Sequence, residues 1–429
     1  MKKILLLNLP FERPVQRDYG CPHGAKADYF WPPIDLLLFG AMVIDVGDLS
    51  YLDCPAGKLT WNDSLHKIKE IDPDLIFTII SSVTVKSDLE YLKILKQTLP
   101  MTQIWASGDL VFFSDEQHAE VDVRVRDLTN RAGILDLLNC HAKTGVVDVD
   151  AQAPFTCGIF PHELLRGYGY AMPYSLYPGI TAVLTNYGCP FPCTFCNSNG
   201  FPFKKRSIDE IVQELLYIQR FGIREVLFRD FTFSLSDVAE LCDKIKRNDI
   251  RLAWSCWSRA DLVNADLLRS MKEAGCYLIS YGVESGDDDI LTHSHKQLDT
   301  QLIHEAAGLT RAAGIEVLAS VIFGFPGENR ERTRSYLQKL DPDYLAVNLL
   351  CRRTGSAASK EGPTLVIPEG CDSLISADLE QIRLRDEAEK SFYLRPAKLL
   401  RFLMLSLKSR HRFFIFFKSA WALFRKWQG

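Results

Sequence analysis

Over residues 1–140 short apolar runs alternate with stretches whose apolar positions recur at helical spacing. Unbroken apolar runs separated by amphipathic segments predict strands buried on both faces, as in a parallel sheet with helices packed against it. Ile4–Leu9, Leu49–Asp53, Leu75–Ser81, Gln103–Ser107 and Val121–Val125 are read as strands, and Ile34–Val46, Trp61–Ile71 and Ser87–Leu99 as helices. The simplest topology is an open α/β, doubly wound parallel sheet, a fold that binds ligands at its strand ends.

Residues 141–178 lose this rhythm and collect Pro154, Pro161, Gly167, Gly169, Pro173 and Pro178, the punctuation of a linker. A second alternation follows, with strands expected at Ile180–Thr185, Glu225–Arg229, Arg251–Ser255, Tyr277–Tyr281, Glu316–Phe323 and Tyr344–Leu349. Six such units over residues 179–350 are too few for an eight-unit barrel. They suit an open partial (βα)6 barrel of the TIM type, with reactive groups at the strand ends and room for a large substrate. Residues 351–429 are read as a helical C-terminal region. From Ser391 to Gly429 it carries nine Lys or Arg and no Asp or Glu, interleaved with Phe, Trp and Leu, the pattern of basic amphipathic helices. Such helices either lie at a membrane surface or pack on the barrel and close its open side, with the cations solvated.

Composition narrows the function little. The hydrophobic fraction of 47% and charged fraction of 24% are those of a globular protein, and a net charge of −4 gives no reason to expect a nucleic-acid partner. Twelve cysteines in a chain of 429 residues, with no secretory signal ahead of them, indicate a reducing cytoplasm rather than a disulfide scaffold. No stretch reaches the roughly 18 uncharged apolar residues of a membrane span.

The decisive string is Thr185-Asn-Tyr-Gly-Cys-Pro-Phe-Pro-Cys-Thr-Phe-Cys-Asn-Ser198, which follows the first expected barrel strand and puts three thiols at C-x3-C-x2-C spacing. Thiolates suit zinc and iron-sulfur clusters, but a structural zinc site needs four ligands and no fourth Cys or His follows in that loop. Three ligands leave one iron of a 4Fe-4S cluster open to a chelating substrate. The string, with Phe195 before its last cysteine, resembles the signature of the radical S-adenosylmethionine (SAM) superfamily. That resemblance implies Cys189, Cys193 and Cys196 as cluster ligands and SAM as co-substrate. It further implies an external donor of the flavodoxin or ferredoxin type, reductive cleavage of the sulfonium, and a 5'-deoxyadenosyl radical that abstracts hydrogen.

Four further segments resemble that family at expected strand ends. Val226–Phe233 carries Asp230, an acidic residue near SAM or a helix cap. Trp254–Asp261 carries Arg259, a partner for the SAM carboxylate or a member of a surface ion pair. Tyr281-Gly-Val-Glu-Ser-Gly286 offers Glu284 to SAM. Val321–Glu328 supplies Gly324, Gly327 and Glu328, a turn that supports adenine or simply reverses the chain.

A doubly wound domain ahead of such a barrel is similar to the Rossmann-like, cobalamin-binding class of these proteins, the group of anaerobic Mg-protoporphyrin monomethyl ester cyclases and B12-dependent methyltransferases. Tyr29–Leu37, Asp72–Ile76 and Ile104–Gly108 resemble that group's landmarks. The resemblance implies cobalamin as a second cofactor and methylation of an unactivated carbon on a small-molecule or lipid-like substrate. Radical rearrangement without methyl transfer, or a non-catalytic iron-sulfur protein, are the alternatives. An Asp-x-His-x-x-Gly cobalt-ligand string is absent, and Asp109, following Gly108 where relatives have a second glycine, is expected to crowd the cofactor. Cys21, Cys54 and Cys140 do not have the spacing of a second cluster. Cys157, Cys242, Cys256, Cys276, Cys351 and Cys371 are expected to be packing residues.

Overall fold

The structure is a computed structural model that describes residues 1–20, 22–24, 30–140, 143–360 and 379–428. Cys21, Tyr29 and Cys371 lie outside the described residues. The described chain forms two compact units, one from Met1 to Met172 and one from Pro173 onward.

The first unit is built on six parallel strands: β1 (Lys2–Asn8), β2 (Gly47–Asp53), β3 (Leu75–Ile79), β4 (Gln103–Ser107), β5 (Val123–Val125) and β6 (Gly145–Val147), in the order β2-β1-β3-β4-β5-β6. β1 lies between β2 and β3, with Leu5 opposite both Ser50 and Ile76, so the chain reverses its winding at the C-terminal end of β1. Both faces of the sheet are covered, as the unbroken apolar runs require. On one face Leu5, Leu7, Ile76 and Ile104 pack with Tyr91, Leu92 and Leu95 of a helix over Val85–Thr98. On the other, Phe39 of the fully buried helix Ile34–Val43 stacks on Phe77 at 3.8 Å. The expected strands and helices are present. The segment expected to be a linker is different: β6 pairs with β5 through Val125 and Val147, and Tyr168 and Tyr170 then pack against Tyr51 of β2. Its prolines punctuate an integral edge of the sheet rather than a free connection.

The second unit has six parallel strands in strict sequence order: β7 (Thr181–Val183), β8 (Glu225–Phe228), β9 (Ala253–Ser258), β10 (Cys276–Glu284), β11 (Glu316–Phe323) and β12 (Tyr344–Leu349). β7 and β12 are not paired with each other, which makes this an open partial barrel. Amphipathic helices alternate with the strands. The best-defined cover runs from Val238 to Arg247, burying Val238, Leu241, Cys242 and Ile245 at i, i+3, i+4 and i+7.

The C-terminal helices α1 (Leu379–Tyr393), α2 (Pro396–Ser406) and α3 (Arg410–Gln428) complete this unit. Tyr393 Oη accepts from Leu345 N–H (3.1 Å) and donates to Leu345 C=O (2.6 Å), closing backbone groups on the free edge of β12. Arg412 and Lys408 converge on Glu316 at the start of β11, and Phe402 lies between Tyr344 and Tyr393. Burial pushes the Glu316 carboxyl up, but the two cations outweigh it and hold the group below its ordinary value. These helices therefore pack on the barrel, as one reading of their sequence expects, and they do so at its open edge and at the strand starts. Five of the nine cations are not simply solvated: Arg395, Lys398, Arg401, Lys408 and Arg412 pair with Asp341, Asp343 or Glu316. Among the described residues no helix is long and apolar enough to cross a membrane.

Candidate functional site

The C-terminal ends of β7 to β11 carry the cysteine loop and the segments expected to serve it. Asp230, just past β8, holds the loop's first residues. Its Oδ1 accepts from Thr185 N–H (2.7 Å) and Asn186 N–H (2.8 Å), and its Oδ2 accepts from Thr185 Oγ1 (3.0 Å). Asp230 is fully buried, and burial raises its carboxyl to about 6 against the partial relief of these donors. These bonds make it a bracket for the loop rather than a helix cap. Gly188 then turns the chain with φ +73°; a Cβ there would meet the carbonyl oxygens of Pro202 at 2.6 Å and Phe201 at 2.8 Å. No residue but glycine fits that approach without displacing backbone.

The three thiols that follow are free, and Cys193 is buried. Cys196 Sγ lies 3.0 Å from Ser198 Oγ, and Cys189 Sγ lies 3.7 Å from Thr232 Oγ1. Burial pushes the Cys193 thiol up to about 11 and raises that of Cys196, and each is further raised by a neighbouring thiol of the loop. Among the described residues, however, no three His, Cys, Asp or Glu side chains converge as one bound ion would require. Three thiols on one loop are donors that a cluster would take up one per iron. The loop is pinned from both sides: Thr194 N–H donates to Ser294 C=O (3.0 Å), and Asn197 Nδ2 donates to Thr354 C=O (3.1 Å).

Glu284 ends β10 at a bulge, where the register with β11 slips between Gly282 and Glu284, and it has φ +61°. Left-handed backbone at a non-glycine residue costs about 1–3 kcal/mol and survives where the surroundings impose it. Here they do: Lys296 Nζ donates to Glu284 Oε1 at 2.8 Å, both groups being buried, and a Cβ on Gly282 would sit 2.3 Å from that oxygen. Lys296 is itself flanked by His295 and Gln297 at φ +52° and +57°. Burial alone would lower the Lys296 ammonium; Glu284 and Cys193 reverse this and raise it. Sequence reasoning missed Lys296. Its only signal was a lysine a short step beyond a Gly-x-Glu-Ser-Gly string, a spacing with no general meaning.

Arg259 is not a surface ion pair. It is buried, forks onto Asp261 (3.0 and 3.1 Å), donates to Lys296 C=O (3.0 Å) and stacks over Phe191 of the cysteine loop at 3.6 Å. It joins β9, the loop and the Lys296 segment. Phe195 meets Phe325 edge-on at 5.7 Å, which brings the loop to the Gly324–Glu328 turn. In that turn Gly324 and Gly327 both have positive φ, and Gly324 N–H donates to Glu328 Oε2 (2.7 Å). Glu328 Oε1 is buried without a hydrogen-bond partner among the described residues, and burial raises the carboxyl. An acceptor left in this state fits a ligand that brings donors, as the amino and ribose groups of SAM do. Tyr187, beside the loop, is buried against Phe201 (5.8 Å).

At the strand ends of the first unit, Gly108 has φ +115°, and a Cβ there would lie 2.3 Å from Ile80 C=O. Asp109 does not project from this turn. Its Oδ1 accepts from Ser82 N–H (3.0 Å) and its Oδ2 bonds the Ser82 hydroxyl, which ties the side chain back to the turn after β3. Asp53 receives Tyr170 Oη (2.6 Å) and Asn8 Nδ2 (3.0 Å), while its neighbour Cys54 is buried in the apolar core. Cys140 is exposed at a helix end, and His23 packs on Trp31 at 5.2 Å. Cys157, Cys242, Cys256, Cys276 and Cys351 are buried packing residues, as expected.

Comparison with known proteins matches residues 183–340 to the family described as "Radical SAM superfamily". An uncharacterized methyltransferase of Pyrococcus horikoshii is 26% identical over 93% of this chain and 94% of its own length. An anaerobic magnesium-protoporphyrin IX monomethyl ester cyclase of Synechocystis sp. is 25% identical over 73% of this chain and 69% of its own. Among solved structures, the radical SAM methyltransferase TsrM of Kitasatospora setae, with cobalamin and a [4Fe-4S] cluster bound, superposes with a TM-score of 0.59 at 16% identity. It covers 91% of this chain and 85% of its own, a likeness of fold.

Proposed function

We propose, from the premise that residues 183–340 are a radical SAM domain, that this chain is a cobalamin-dependent methyltransferase acting on a carbon or other weakly nucleophilic atom of a small molecule. The observation that carries the reading is the Cys189–Cys196 loop, with three free thiols pinned at the C-terminal mouth of parallel barrel strands. Cys189, Cys193 and Cys196 would hold a 4Fe-4S cluster, which when bound beside SAM supplies the electron that cleaves the sulfonium. The chain's own residues do the positioning. Lys296 is bonded to Glu284, Arg259 joins loop and strand through Phe191, and Phe195 packs on Phe325 of the neighbouring turn. Glu328 Oε1 awaits a donor. In the first unit the tight turn at Gly108 would admit cobalamin, which supplies a carrier for the methyl group. The methyltransferase relative spanning 93% of the chain supports methylation over rearrangement.

Anaerobic reconstitution with iron, sulfide and hydroxocobalamin, followed by reduction in the presence of methyl-labelled SAM, tests the reading. About four irons and one cobalt per chain, loss of iron in Cys193→Ala, and label appearing on the corrinoid are expected. Iron and SAM cleavage without cobalt would sink the carrier and point to rearrangement. Iron without SAM cleavage would leave only electron transfer.

A further inference from the structure

On the C-terminal helices some cations turn to the barrel and others to solvent, where a row of apolar side chains is also exposed. The inward cations are spent on Asp341, Asp343 and Glu316. Apolar side chains run along the outward faces: α2 exposes Leu399, Leu400, Leu403, Met404 and then Leu407, at i, i+1, i+4, i+5 and i+8, and α3 exposes Phe414, Phe417, Trp421 and Phe424, at i, i+3, i+7 and i+10. Leu407 is 68% exposed, Phe414 69% and Trp421 60%. Helix α2 also buries Phe402 and Leu405 toward the barrel, so these stripes are a further apolar face turned to solvent, and a patch of this kind marks an interaction surface. Arg410, Lys418 and Arg425 belong to the same helix, have no ion-pair partner among the described residues, and face no Asp or Glu anywhere in 391–429.

We propose that this surface is an interfacial anchor that docks on an anionic lipid bilayer, with the leucine and aromatic stripes entering the headgroup boundary and Arg410, Lys418 and Arg425 meeting lipid phosphates. Charge decides the occupant. A two-fold contact with a second copy would bring the two sets of unpaired cations together, whereas an anionic leaflet neutralises them. The inward faces of α2 and α3 meet the starts of β11 and β12, at the opposite end of the strands from the cysteine loop. Docking in this way leaves the reactive mouth away from the lipid. The device is therefore an anchor and not a port for lipid substrate.

Flotation of the full chain with vesicles of phosphatidylcholine alone, or with a third phosphatidylglycerol, tests this. Each basic residue near an anionic surface strengthens binding about fivefold, so the anionic vesicles are expected to bind at least about tenfold better, and less so at high salt. Leu403→Glu/Leu407→Glu/Phe417→Glu should abolish flotation while keeping the far-ultraviolet spectrum and iron content. Lys418→Gln/Arg425→Gln should weaken only the anionic preference. Equal flotation with both vesicle types, none with either, or a concentration-dependent dimer that the triple variant dissolves would each overturn the anchor.

Discussion

The two six-stranded parallel sheets of this chain differ most at their C-terminal ends. In the first, polar groups at the strand ends satisfy one another: Asp53 with Asn8 and Tyr170, Asp109 with Ser82, and Arg17 with Asp88 in a wholly buried pair. In the second, the corresponding ends keep chemistry in reserve, with three free thiols, an unpartnered Glu328 oxygen, and strained backbone at Glu284, His295 and Gln297. The same architecture pairs these side chains within the chain in one case and leaves thiols and an acceptor oxygen unspent in the other. Strain and unsatisfied groups collect where a ligand is to complete the structure.

The comparison is broken most severely at Lys296. Lys296→Met leaves the Glu284 carboxylate buried without its cation, which costs about 3–5 kcal/mol of stability. Loss of a charged hydrogen bond should also weaken SAM binding about 10- to 100-fold, read by isothermal titration on reconstituted protein. The double variant Glu284→Gln/Lys296→Met should recover most of the stability in denaturant unfolding but none of the SAM affinity. If it recovers both, the pair is only structural.

A smaller break, confined to the first sheet, is Gly108→Ala. Backbone strain at positive φ costs about 1–3 kcal/mol, and the Cβ contact with Ile80 C=O adds to it. Cobalt uptake should fall while iron content stays at the wild-type level. Parallel loss of both would mean that the two sheets do not separate functionally.

Asp230 sharpens the contrast most finely. Its carboxyl is raised from 3.8 to about 6, so the fold favours the protonated form. Stability is then full below about pH 4 and declines as pH rises to about 6, by up to about 3 kcal/mol. Asp230→Asn should flatten that decline in unfolding measurements at pH 4.5 and 7. Asp230→Ala, which leaves Thr185 and Asn186 N–H without an acceptor, should destabilise at both.

Much of this was legible in the sequence because it rests on periodicity and local spacing. The unbroken apolar runs Ile4–Leu9 and Leu75–Ser81 predicted strands buried on both faces, and C-x3-C-x2-C put the thiols in one loop whatever the tertiary detail. What escaped depends on long-range partners. Lys296 acquires its meaning from Glu284 across a bulge, Asp109 is bonded to Ser82 of the turn after β3, and β6 was hidden by prolines that follow it. The Asp230 and Arg259 segments lie at strand ends, yet the hydrogen bonds their side chains make, to Thr185 and Asn186 in one case and to Asp261 and Lys296 in the other, could not be read from those segments alone.

The pairing of Glu316 with Arg412 spans 96 positions of chain. At a synthesis rate of about 5–20 residues per second, the strand that carries Glu316 waits about 5–20 seconds for its counter-ion to be made. Through that interval the nascent barrel exposes an uncompensated carboxylate at its base. Premature termination before residue 412 would therefore yield not a shortened enzyme but an unfinished one, a substrate for chaperones and proteases.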